Sequence, residues 1–124
     1  MATINYTVER DVSQGDGSVL IITWANLVAA SLAGAPFEWP QWADVCVQIV
    51  ANTAGGATCV IEGSCDSTNY GTLNNAQSVA LSVVATTAPK QIVERPLLIR
   101  PRISGGGGTE DWTITLTARR QPYK

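Results

Sequence analysis

The chain has 124 residues, a length suited to one domain with one core. Hydrophobic residues make up 45% of it and charged residues only 15%, against roughly 25% in a typical globular protein. Ser, Thr, Asn, Gln and Gly must therefore cover much of the surface, a composition common where protein meets protein. The net charge is −2. Arg95, Arg100, Arg102, Arg119 and Arg120 gather in the last third, but Glu94, Glu110 and Asp111 interrupt them, so the basic face of a nucleic-acid binder is missing.

No run approaches the ~20 apolar residues of a transmembrane helix, and nothing points to a membrane. The most apolar stretch, 19–33, contains Thr23, Asn26 and Ser31. Before it lie Glu9, Asp11 and Asp16 with the single Arg10, rather than the basic leader of a secretory signal. The reading is of a leaderless protein made in a cytoplasm. The three cysteines fit, because an odd number leaves at least one thiol unpaired.

Alternation of apolar and polar residues dominates, and helical periodicity is nearly absent. Residues 3–9 (TINYTVE) place Ile4, Tyr6 and Val8 on one face, and DVSQGDG (11–17) breaks the pattern. Residues 18–24 form a β-branched run. The Ala-rich segment after it suits either a short helical turn or another strand. Pro36 and Pro40 bound FEWPQW as a rigid loop or edge. Residues 43–50 (ADVCVQIV) and 57–63 (ATCVIEG) around NTAGG predict a hairpin. In that pairing Cys46 and Cys59 face opposite sides of the sheet, Cys59 as a small buried hydrophobe and Cys65 as a turn residue.

GSCDSTNYGTLNN (63–75) is a long polar turn. Residues 77–85 alternate, with Val79, Leu81 and Val83 predicted inward. Pro96 and Pro101 make 91–103 an edge or bulged strand, and GGGG (105–108) is a flexible turn. Residues 110–119 give the cleanest strand, with Trp112, Ile114, Leu116 and Ala118 on one face and Thr113, Thr115 and Thr117 on the other. The expectation is an all-β, antiparallel β-sandwich of seven to eight short strands. Residues 1–17 supply an N-terminal arm or first strand, and 18–124 form a single domain.

Catalytic equipment is scarce. With no histidine, Ser-His-Asp and Cys-His arrangements and the commonest metal ligand are all missing. The cysteines lack the paired spacing of a structural zinc site. No Lys-Ser or Lys-Thr follows the glycines, so they are not a phosphate loop. The carboxylate pairs Glu62 with Asp66 and Glu110 with Asp111 stand beside turns or at a strand start, not in the context of a cleft. DSTNYG (66–71) has Asp first and Gly sixth, as in a calcium loop, but Tyr70 occupies a ligand position and an Asx-type turn is the better reading. Asn5-Tyr6-Thr7 fits the glycosylation pattern, which a leaderless protein never exposes to that machinery. The expectation is a binding protein without cofactor, not an enzyme. Phe37, Trp39 and Trp42 form either a stacking platform for sugar or protein, or a plug closing one end of the sandwich.

GAPFEWPQWADVCVQI, IEGSCDSTNYGTLN and VERPLLIRPRISGGGGTEDWTITLTARR, in this order over about residues 15–120, resemble small head proteins of tailed bacteriophages. These are the decoration, or cement, proteins that clamp the outside of the capsid. Cys65 stands where the pattern has Asn, and Tyr70 where it more often has Trp. The resemblance implies a jelly-roll-like sandwich, frequently a homotrimer, bound to the major capsid protein on the outside of the virion. Candidate contacts are Ile4, Tyr6 and Val8 of the arm, Phe37, Trp39 and Trp42, and the edge bearing Arg95, Arg100 and Arg102. The arm adds a strand to a neighbour or pairs within its own sandwich. The arginines would be free to meet acidic residues of a partner. The alternative function is a carbohydrate- or receptor-binding sandwich of a phage tail or baseplate, with exposed, coplanar Trp39 and Trp42.

Overall fold

The computed structural model describes residues 3–4, 6–10, 19–27, 33–38, 44–106 and 109–119, all of them strand, turn or loop. Six strands are long: β2 (Tyr6–Arg10), β3 (Val19–Leu27), β6 (Asp44–Thr53), β7 (Ala57–Ser64), β11 (Leu98–Gly105) and β12 (Asp111–Arg119). Six two-residue segments complete the pairing: β1 (Thr3–Ile4), β4 (Ala33–Gly34), β5 (Phe37–Glu38), β8 (Gly71–Thr72), β9 (Ser82–Val83) and β10 (Lys90–Gln91). One sheet runs β10-β6-β12-β3-β2; the other runs β1-β4-β11-β7-β8, with β5 also on β11 and β9 on β7. All ladders are antiparallel except the short β1–β4 pair. The two sheets stack as a β-sandwich, as the alternating sequence predicts.

The core is the two inner faces. Leu20, Ile22 and Trp24 of β3, Val45, Val47 and Ile49 of β6, and Trp112, Ile114, Leu116 and Ala118 of β12 meet Ala57, Cys59 and Ile61 of β7 and Ile99 and Ile103 of β11. Each large side chain buried there contributes on the order of 1.5–3 kcal/mol. Strand β12 lies at the centre of its sheet, which is why its alternation is the cleanest in the chain. Its threonine face points away from the core and is only half-buried.

Residues 43–63 do not form the expected hairpin. Strand β6 pairs with β10 and β12, whereas β7 pairs with β8, β9 and β11 in the other sheet. Between them the chain turns a corner, with an Ala57 N–H to Ala54 C=O bond of 3.0 Å and left-handed φ values of +62° at Gly55 and +76° at Gly56. A Cβ on Gly55 would come within 2.8 Å of the Glu110 nitrogen, so this corner accepts only glycine on both counts. Strands β11 and β12 change sheets in the same way, and the two corners lie side by side. Consequently β6 pairs with β12 in one sheet and β7 with β11 in the other, the wrapped ribbon of a jelly roll.

Pro101 is likewise not on an edge strand. It sits inside β11 opposite Ile61, with β4 and β5 on the far side. The N–H of Ile61 donates to Leu81 and its C=O accepts from Leu73, both away from β11. This register therefore turns the nitrogen of Pro101 away from β7, into the interval between β4 and β5 where pairing shifts by one residue. No donor is wanted there, so the ladder loses nothing. The same interval holds Gly34, where a Cβ would overlap the Trp24 indole and the Pro101 ring, and Ala35, whose C=O accepts from Trp24 Nε1 at 2.9 Å.

Val79 is a further correction. It is exposed, whereas Leu81 is buried and Val83 half-buried. The Asn75 side chain accepts from the N–H groups of Gln77 and Val79, and Ser78 has a φ of +63°. A tight turn thus replaces the start of the expected strand, and its tip points to solvent.

Cys46 lies on the outer face of β6 and Cys59 in the core from β7, so they belong to different sheets; Cys65 is exposed, and all three are free. Burial pushes the Cys59 thiol up to about 12. Burial also raises Cys46, opposed by a backbone hydrogen bond at Val47. A thiol reagent is expected to modify Cys65 in the native protein, Cys46 more slowly, and Cys59 only on unfolding. The unfolded, non-reduced chain should then titrate three thiols; a count of one would contradict this arrangement.

Trp112→Ala should cost ~3–5 kcal/mol in urea melts, as large-to-small aromatic changes in a core do. Thr115→Ala, on the outer face of the same strand, should cost less than about 1 kcal/mol. Equal losses would mean that β12 is packed on both sides.

Candidate interaction surfaces

The two outer faces differ. Across the five-stranded sheet, register aligns Thr7, Thr23, Thr115 and Gln48 in one row and Glu9, Ile21, Thr117, Cys46 and Gln91 in the next, with Glu9 on the edge strand β2. Thr113 and Val50 pair beyond them, and Asn52 Nδ2 donates to Thr113 Oγ1 at 3.0 Å. Across the middle of this face none of the described side chains carries a charge. Its outer flank at β6 is closed to strand addition: Thr87 and Ile92 donate to the Ile49 and Val45 carbonyls, and Ala51 donates to Thr86 Oγ1.

The outer face of the second sheet carries charge. Strand β11 alternates Ile99, Pro101 and Ile103 inward with Arg100 and Arg102 outward, and β7 sets Glu62 directly opposite Arg100. Glu62 is only 5% exposed. Its Oε1 accepts from Arg100 Nε at 3.0 Å and its Oε2 from Arg102 Nε at 2.9 Å. The Arg100 guanidinium lies over the Tyr70 ring, 3.7 Å from its centroid, a cation–π contact. Val60, opposite Arg102, is buried although it faces outward, as expected where an arginine stem lies along a sheet.

Beside this face the polar turn 63–75 is organised around Asp66. Its Oδ1 accepts from Ser64 Oγ (2.9 Å) and from the N–H groups of Thr68 (2.9 Å) and Asn69 (2.8 Å), and its Oδ2 from Asn69 Nδ2 (2.7 Å). This is an Asx-type turn: the loop aims donors at the carboxylate, the reverse of what a cation requires. Among the described residues no group of three or more His, Cys, Asp or Glu stands close enough to hold a metal. A shallow groove of about 400 Å³ opens next to the turn, lined by Ser64, Cys65, Leu73, Glu94, Arg95 and Pro96 among others. Glu94 there accepts from Asn74 N–H (2.8 Å) and Nδ2 (2.6 Å), and the backbone donor in particular holds its carboxyl below the usual range.

The residues expected to make contacts fall into separate groups. The arm pairs within its own sandwich: Thr3 and Ile4 with β4, and β2 with β3. Tyr6 turns inward and meets Trp24 and Phe37 edge to face, with centroids 5.8 and 5.1 Å apart. Phe37 therefore helps close the core, and Val8 is left 46% exposed on the edge strand. Trp39, Trp42 and the side chain of Ile4 lie outside the described residues, as do Asn5 and the stretch 11–17. Arg95 is exposed beside the groove, apart from the triad. Arg100 and Arg102 are not free, because the buried Glu62 binds both. Glu62 and Tyr70 are the residues that sequence reasoning missed as part of this surface. No protein-family model matches the chain, and comparison with curated proteins finds no match.

Asp66 generates an acid-range prediction. Backbone donation from Asn69, then Thr68, with the Asn69 and Ser64 side chains, holds its carboxyl well below the usual carboxylate range. Its stabilising contribution is complete above the ordinary Asp value of ~3.9. Below that value the unfolded chain takes up the proton first, so the contribution shrinks, and it is gone once pH falls through the depressed folded value. Carboxyl NMR titration should give Asp66 a midpoint below that of unpaired aspartates, and an ordinary midpoint would contradict the turn.

Proposed function

We propose that the protein is a non-enzymatic virion protein that binds the outer surface of a phage capsid as a symmetric oligomer and stabilises the shell. The resemblance to head decoration proteins motivates this reading. The observation that carries it is the outer face of the five-stranded sheet, whose described side chains on strands β3, β12 and β6 carry no charge across the middle of the face. Threonine, glutamine, valine and isoleucine there can be covered by protein without stranding a charge, whereas an ordinary solvated face would be laced with Lys and Glu. A lattice repeats the contact many times, so a modest footprint per copy is enough.

A carbohydrate- or receptor-binding module is the second reading, and it depends on Trp39 and Trp42 forming an exposed platform. The pairing of the arm within the sandwich favours attachment through faces rather than through a donated strand.

Heads lacking the protein should melt at a higher temperature once it is added. Thr115→Lys, which sets a cation at the centre of the uncharged face, should reduce that gain while leaving the isolated protein folded by circular dichroism. If the wild-type protein leaves the melting temperature unchanged, the capsid reading fails. If the lysine variant stabilises heads fully, this face is not the contact.

A further inference from the structure

The triad of Arg100, Glu62 and Arg102 is incomplete as a charge arrangement. A buried carboxylate faces two guanidiniums, leaving one positive charge in excess within the triad, whose arginine side chains are only 24% and 36% exposed. Each arginine meets Glu62 through Nε alone. A guanidinium has five N–H donors, of which four are on the two Nη atoms, and none of the described residues accepts from those of Arg100 or Arg102. The pair is also held in place. Glu62 fixes both Nε atoms, and Tyr70 covers one face of the Arg100 plane, so little side-chain freedom remains to be lost on binding.

We propose that this triad is a preorganised clamp for one carboxylate, a Glu or Asp side chain on the surface of a protein partner. The incoming carboxylate accepts a charge-assisted hydrogen bond from the Nη groups of each arginine. It completes a set of two cations and two anions. A single carboxylate fits better than a polyanion such as nucleic acid. Asp66, tied to Ser64 two residues along β7 from Glu62, is held ionised and repels extended negative charge, and the chain as a whole is acidic. This deepens the docking reading and rests on it for the partner: the acidic group belongs to the capsid surface.

The test uses the full chain and two probes. In the first, the arginine Nε–H signals are followed by NMR during titration with an end-capped peptide carrying one glutamate and no other charge, and separately with inorganic phosphate and a DNA oligonucleotide. The signals of Arg100 and Arg102 should shift with the peptide, and Arg102→Gln, which leaves Glu62 bound to Arg100, should weaken peptide binding at least about ten-fold. Arg102→Lys, which keeps the charge but loses the fork, should rescue only part of it. No shift of these signals with the peptide, or tighter binding of phosphate or DNA, overturns the proposal. In the second, Arg102→Gln is compared with wild type for binding to heads. Wild-type binding that the variant fully retains removes the clamp from docking. Failure of wild type to bind heads counts against the capsid partner, while the peptide titration still decides the clamp.

Discussion

The structure depends on two glycine corners lying side by side. At Gly55 and Gly56, and again at Gly105 and Gly106, the backbone takes positive φ and the chain leaves one sheet for the other. Because the corners are adjacent, one wrapped ribbon supplies the central pairs of both sheets, β6 with β12 and β7 with β11. This closes Trp112, Ile114 and Leu116 over Cys59, Ile61 and Ile103 and sets the register of the outer faces. Glu62 stands opposite Arg100, and Thr115 beside Gln48, because the corners fix where each strand begins. A side chain at Gly55 would strain φ and press on Glu110 together.

From that register follow two surfaces of different chemistry on one small domain. One is broad and, among the described side chains, uncharged across its middle. The other gathers Arg100 and Arg102 around a buried carboxylate and caps one of them with Tyr70. A buried carboxylate with two half-buried partners is weak evidence for stability, since taking Glu62 out of water carries a desolvation cost that the pairing must offset. Its effect is on order: it holds two guanidiniums at fixed positions on a face that would otherwise carry mobile side chains. In the proposed docking, one surface would exclude water and the other would set orientation.

Much of the fold was legible in the sequence, and the failures have local physical causes. Residues 110–119 alternate cleanly because a central strand with one core face admits nothing else. Residues 43–63 misled because alternation and a glycine-bearing loop look the same in a hairpin and in a corner between sheets; only the partners β12 and β11, far along the chain, distinguish them. The proline rule held atom by atom at Pro101, whose nitrogen faces a break in pairing, but failed as a statement about the whole strand. Val79 obeyed the side chain of Asn75 rather than the alternation. For the candidate site, the sequence grouped Arg100 and Arg102 with Arg95 on one edge and read them as free. Their anion, 38 and 40 residues away, required a register that one sequence does not contain.

The central claim is attachment to a capsid, and co-sedimentation of the full chain with intact phage heads tests it most directly. The account predicts that the protein pellets with the heads and saturates at a fixed number of copies per particle, as binding to a repeating lattice requires. Protein that remains in the supernatant at every concentration, while folded, would contradict it.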